Sequence, residues 1–151
     1  MRIKLFDFND LNIVEFAVGE VGKQCELCTD SSKYLHGAVF TVFQSAFILS
    51  NQEFNYFSKT DFQDSRLITL RNHLQDYLSR IISIKDAEDL EMFVMKQVEG
   101  IDFLNEMKTF YPDWRIRWER FKNELKTVLR EIIDLVDECI DEEKVFWVKG
   151  Y

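Results

Sequence analysis

"DLNIVEFAVGEVG", residues 10 to 22, decides the fold class. Leu11, Val14, Ala17, Val18 and Val21 recur at steps of three and four, the spacing of one helical face, and Asp10 stands where an N-cap carboxylate would accept orphan backbone N–H groups. The spacing predicts a helix that ends near Gly22 or runs on to Cys28. Before it, "RIKLFDF", residues 2 to 8, alternates roughly and predicts a short strand.

Helical periodicity then continues along the chain. "TDSS" at 29 to 32 reads as a turn, after which Leu35, Val39, Val42, Phe43, Ala46 and Phe47 predict a helix apolar enough to occupy the middle of the fold. Residues 50 to 62 form a polar and aromatic connection, with a short helix expected around Phe54 and Phe57. Leu67, Leu70, Leu74, Tyr77, Leu78 and Ile81 share one stripe, with Asp61, Asp64 or Ser65 as its cap, and a further helix opened by Asp86 buries Leu90, Phe93, Val94, Val98, Ile101, Leu104 and Met107. Gly100, inside that pattern, marks a close contact or a kink.

Tyr111 and Pro112 break the chain before its last helix, because proline cannot continue one helix but is tolerated in the first turn of the next. "YPDWRIRWERF", residues 111 to 121, mixes aromatic and basic residues as a nucleic-acid surface does. On a helix, Trp114, Trp118, Phe121 and Leu125 fall on one stripe, while Arg115 and Arg120 lie on its flank and back. The tryptophans are therefore expected inward and the arginines outward, with Ile116 exposed unless something covers it. From Trp118 the apolar steps continue to Cys139, and the whole helix expected after Pro112 is about thirty residues, a rod of roughly 45 Å. "KVFWVKGY", residues 144 to 151, has strand composition and is expected to pair with the N-terminal strand. The architecture expected is an all-α single domain over residues 1–151: about five helices, a long C-terminal helix and a minor strand pair joining the termini.

Composition bounds the function. The chain has 151 residues, a formal charge of -8 and only five glycines and one proline, so it is long enough to fold around one core and acidic enough to repel nucleic acid and anionic membranes. Asp7 and Asp10 interrupt any signal-peptide core, and "AVFTVFQSAFIL" is too short to span a bilayer. Three cysteines, an odd and sparse set, fit a reducing compartment. A soluble, unprocessed cytoplasmic protein is the expectation, with no cofactor and no metal.

Few motifs carry chemistry. "CELC" at 25 to 28 has the spacing of half a zinc site, but only Cys139, His36 and His73 remain as further ligands, with no paired spacing. A redox role needs a helix N-terminus to lower a thiol pKa, and this pair falls near an expected helix end. No H-E-x-x-H, G-x-S-x-G or phosphate-cradling loop occurs. Arg66 and His73 lie seven residues apart, a spacing similar to the R-x4-6-H signature of HEPN-type ribonucleases. That resemblance covers two residues and implies an all-α domain cleaving RNA without metal; the polar residue that follows the signature arginine is Leu67 here.

The last helix holds the main anomaly. Asp134, Asp137, Glu138, Asp141, Glu142 and Glu143 place six acids in ten residues at a helix C-terminus, where the macrodipole already disfavours negative charge. Dipole and like-charge terms oppose the helix by roughly 1 to 3 kcal/mol. Such a face is either solvated, paired with Arg66, Arg71, Arg80 or Lys85, or a docking surface. Tyr56 and Phe57, beside Asp61 and Asp64, add apolar anchors of the kind protein interfaces use. The leading expectation is a non-enzymatic module whose acidic surface, Asp134, Asp137, Glu138, Asp141 and Glu142 with Tyr56, Phe57, Asp61 and Asp64, engages a basic protein. In general character it is similar to bacterial immunity or antitoxin proteins that neutralise a nuclease toxin. The alternatives are the ribonuclease using Arg66 and His73, and a helical homodimer built on the long helix.

Overall fold

The computed structural model describes residues 3–5 and 12–151. The stretch that decides the fold class is a strand: Ile13–Glu20 forms β1, joined by β2 (Lys33–His36), β3 (Thr60–Phe62) and β4 (Lys144–Gly150) in an antiparallel sheet of order β2-β1-β4-β3. The expected all-α bundle is therefore incorrect, and the fold is mixed α/β. The strand expected at the C-terminus forms as β4, but its partners are β1 and β3, within a four-stranded sheet whose inner strands are β1 and β4. Residues 3–5 carry no strand, and the rest of the strand expected over 2–8, with the Asp10 cap and Leu11, lies outside the described residues.

Double burial explains the misreading. Val14 and Phe16 pack into the main core, while Glu15 on the opposite face is wholly buried beneath the segment that carries Cys28 and Ser32. A strand covered on both faces loses its alternation of apolar and polar residues, so its apolar positions fall on a helical stripe by coincidence. The β-branched Ile13, Val14 and Val18 were the better guide.

Six helices are formed by the described residues: α1 (Gly37–Phe40), α2 (Gln44–Ser50), α3 (Ser65–Ser83), α4 (Ala87–Met95), α5 (Gly100–Phe110) and α6 (Trp118–Asp141). The central apolar segment is buried as expected, with Leu35, Val39, Val42, Phe43, Ala46 and Phe47 all inaccessible to solvent, but it is cut into β2, α1 and α2. An aromatic layer joins it to the sheet: Phe16 stacks on Phe146 at 5.7 Å and contacts Phe40 and Phe47 at 6.2 Å. Such ring pairs contribute about 0.5–1.5 kcal/mol each beyond burial.

Helices α3 and α6 close the other side. Leu67, Leu70, Leu74 and Ile81 of α3 are buried against Leu125, Val128, Leu129, Ile132 and Val136 of α6. The residues before α6 form turns, so α6 spans 24 residues and about 36 Å. Trp114 is buried, Arg115 is exposed and paired with Glu91, and Ile116 is 86% exposed. Among the described residues no helix is long and apolar enough to cross a membrane.

Gly100 marks a break. The helix expected from Asp86 to Met107 stops at Met95 and restarts as α5, with Glu99 left-handed at φ 57° between the two. A Cβ on Gly100 would overlap the Val94 carbonyl oxygen, so only glycine fits at this break. Gly100→Ala is expected to destabilise the fold by about 1–3 kcal/mol, the cost of overpacking a fixed backbone contact. Urea denaturation checks this, and an unchanged midpoint would refute the contact.

Candidate functional site

The break at Gly100 turns three carboxylates toward one cleft of about 390 Å3. Glu99, Asp102 and Glu106, with Asn105, come from the start of α5 and its next turns. Gly37, Ala38, Thr41 and Gln44 supply the facing surface, and Asn12, Tyr56, Phe57 and Tyr151 complete the lining. No lysine or arginine is among these residues.

Glycines allow the aromatic side to close. A Cβ on Gly37 would strike the Asn12 side chain and the Tyr56 hydroxyl, and one on Gly150 would strike the Tyr56 ring. Tyr56 is held by its main-chain oxygen, which accepts from Gly150 N at 2.7 Å, and by its hydroxyl, which donates to Asn12 Oδ1 at 3.3 Å. Burial pushes its phenol pKa up, and the Glu99 carboxylate adds to the shift. Phe57 remains 79% exposed at the rim.

Two residues of the lining carry buried acceptors that lack donors. Gln44 is only 8% exposed, and its Oε1 has no hydrogen-bond partner; Glu106 Oε2 is buried and equally without one. His36 Nδ1 lies 3.7 Å from Glu106 Oε2, but it accepts the capping hydrogen bond from Ala38 N. Each unmet buried acceptor costs about 1–3 kcal/mol, more for a charged group. Asn12 and Glu99 also hold left-handed backbone, at φ 69° and 57°, which is uncommon for residues with side chains.

Beside the cleft lies a polar cluster around the buried Glu15 that sequence reasoning missed. Glu15 Oε1 accepts from Cys28 N at 2.5 Å and Ser32 Oγ at 2.6 Å, while its Oε2 accepts from the Tyr151 hydroxyl at 2.6 Å. Tyr151 thus lines the cleft and anchors this cluster. Burial, reinforced by Glu15, pushes the Tyr34 phenol up to about 12; burial and the hydrogen bonds with Cys28 and Glu15 raise Tyr151 strongly. One signal was available: Glu15 is the only charged residue within "IVEFAVG".

The residues singled out from sequence are dispersed. Tyr56 and Phe57 line the cleft, whereas Asp61 sits in β3 and Asp64 precedes α3, both outside its lining. The α6 acids also lie elsewhere and are partly paired: Asp137 with Arg71 at 3.6 Å, Glu138 with Lys144 at 3.7 Å, and Glu142 with Lys144. Asp134 and Asp141 make no ion pair among the described residues. Arg66 pairs with Glu53 at 3.6 Å and His73 lies two turns along α3; the sheet departs from the all-α domain that the HEPN resemblance implies. Among the described residues the cysteines are unbridged and no three His, Cys, Asp or Glu side chains form a metal-holding group.

The tyrosines give a pH signature. Their folded-state pKa values lie above the roughly 10 of an unfolded tyrosine, so between pH 10 and about 12 the folded chain keeps protons that the unfolded chain loses. The associated stability is present below pH 10 and falls as pH rises toward about 12. Urea denaturation across this window should show that decline, with a shallower slope in Tyr151→Phe; equal slopes would contradict the Tyr151 bond to Glu15.

Comparison of the chain with protein-family models, with curated proteins and with solved structures finds no match.

Proposed function

We propose that this protein is a non-enzymatic binding module that holds a basic protein through the acidic, aromatic-walled cleft between α5 and the α1–α2 segment. The observation that carries this reading is the lining itself: among the described residues, three carboxylates, three aromatic residues and no lysine or arginine in one concavity. Carboxylates gathered with only His36 near one of them repel one another, and a cationic partner lowers that cost while gaining attraction. Phe57 at the rim, with Val98 and Ile101 exposed beside Glu99 and Asp102 in the chain, supplies the apolar contact that interfaces need around a polar centre.

The α6 acids have a different part in this account. Their pairing with Arg71 and Lys144 reduces the charge they offer at contact, but with the overall charge of -8 they still draw a basic partner from a distance. The concrete form proposed is a cytoplasmic neutraliser of a cationic enzyme, in the manner of bacterial immunity or antitoxin proteins acting on a nuclease toxin. The aromatic cleft would contact the basic surface that the enzyme uses for its own substrate.

Two charge reversals separate contact from steering. The protein immobilised in native lysate should retain a basic protein at low salt and release it at high salt. Glu99→Lys with Asp102→Lys should weaken retention by at least about tenfold, whereas Asp137→Lys with Glu138→Lys and Asp141→Lys should mainly slow association and alter its salt dependence. Retention unaffected by the cleft reversals would reject the proposal.

A further inference from the structure

We propose that the cleft is a receptor for one guanidinium group, presented on an arginine side chain of the partner; this rests on the reading of the cleft as the contact surface. Two separate observations converge on it. The first is charge: Glu99, Asp102 and Glu106 line a concavity with no lysine or arginine among the described residues, which favours a cationic ligand. The second is the unmet hydrogen bonding of Gln44, a side chain more than nine-tenths buried whose Oε1 has no donor, together with the buried Glu106 Oε2. Both groups are acceptors. The ligand must therefore bring hydrogen-bond donors as well as positive charge, which disfavours phosphates, carboxylates and purely apolar groups.

Geometry separates guanidinium from other cations. Glu99, Asp102 and Glu106 do not come together as metal ligands, which favours an extended ligand over a single ion. An ammonium is compact and strongly hydrated, and loses most on entering a partly enclosed site. A guanidinium is planar, more weakly hydrated and carries five donors in a fixed fork, enough to reach an amide oxygen and a carboxylate together. Its faces also stack on aromatic rings, here those of Tyr56, Phe57 and Tyr151. The volume of about 390 Å3 lies near the lower end of the roughly 300–1,000 Å3 of ligand cavities, suited to one long side chain and unsuited to a helix.

The local chemistry also predicts what the site costs the free protein. Replacing an unsatisfied buried amide by an apolar group of similar size removes a penalty, so Gln44→Leu should unfold no more easily than the parent while losing the ligand. Residues that oppose stability in this way are expected where a partner supplies the missing interaction.

The test is an NMR titration of the full chain, following the Gln44 side-chain amide, with capped Gly-Arg-Gly, its isosteric citrulline analogue, capped Gly-Lys-Gly and agmatine. The arginine peptide should bind saturably, the citrulline and lysine peptides at least about tenfold more weakly, and Gln44→Leu and Glu106→Gln should each weaken arginine binding by a similar factor. No saturable arginine binding, citrulline or lysine binding equal to arginine, or parent-like binding by a folded Gln44→Leu would overturn the guanidinium assignment. Agmatine binding more tightly than the peptide would overturn a protein side chain as its source. A basic protein retained equally by parent and Gln44→Leu would sink this inference and leave the binding-module reading standing. Arginine binding without any basic partner would do the reverse.

Discussion

The pairing of β1 with β4 is the interaction on which the rest of the structure depends. Seven residue pairs, from Val14 opposite Gly150 to Glu20 opposite Lys144, bring the final strand into the middle of the sheet beside the first. That register sets Phe16 against Phe146 and seats the aromatic layer under α1 and α2. It also delivers both sides of the cleft's aromatic lining: Gly150 N fixes Tyr56, and Tyr151 N donates to Ile13 O while its hydroxyl reaches Glu15. A one-residue slip would turn every side chain of β4 to the opposite face and undo these contacts together.

Charge is distributed unequally between support and proposed function. The acidic end of α6 is locally unfavourable, yet Arg71 and Lys144 offset part of its repulsion, and the buried stripe of Leu125 to Val136 holds the helix regardless. Exposed pairs of this kind contribute about 0–1 kcal/mol, so packing decides the helix and the surface charge follows. In the cleft the balance differs. Among the described residues Glu99, Asp102 and Glu106 have no lysine or arginine beside them in the lining, and Gln44 and Glu106 keep acceptors without donors.

Helical segments were legible where one face met the core and the other met water. The stripe from Leu67 to Ile81, the Asp86 cap, whose side chain accepts from Asp89 N at 2.9 Å, and the Phe121 to Cys139 run all obey that rule. The sheet was not legible because β1 is buried on both sides, and because β2 follows a Thr-Asp-Ser-Ser turn that resembles a helix start. Of the site, sequence singled out Tyr56 and Phe57 as aromatic anchors in a loop. Glu99, Asp102 and Glu106 stayed hidden because they join the other residues only through the break in the helix at Gly100, and Gln44 because its significance is a missing bond.

Native-state amide hydrogen exchange of the free protein tests the central role of the β1–β4 pair most directly. The account predicts that the amides of Glu15, Ala17, Trp147 and Lys149, which face the partner strand, exchange only through global unfolding, with the same opening free energy as the buried positions of α6. Strand amides that exchange through a smaller opening, while α3 and α6 stay protected, would contradict it and make the sheet an appendage of the helices.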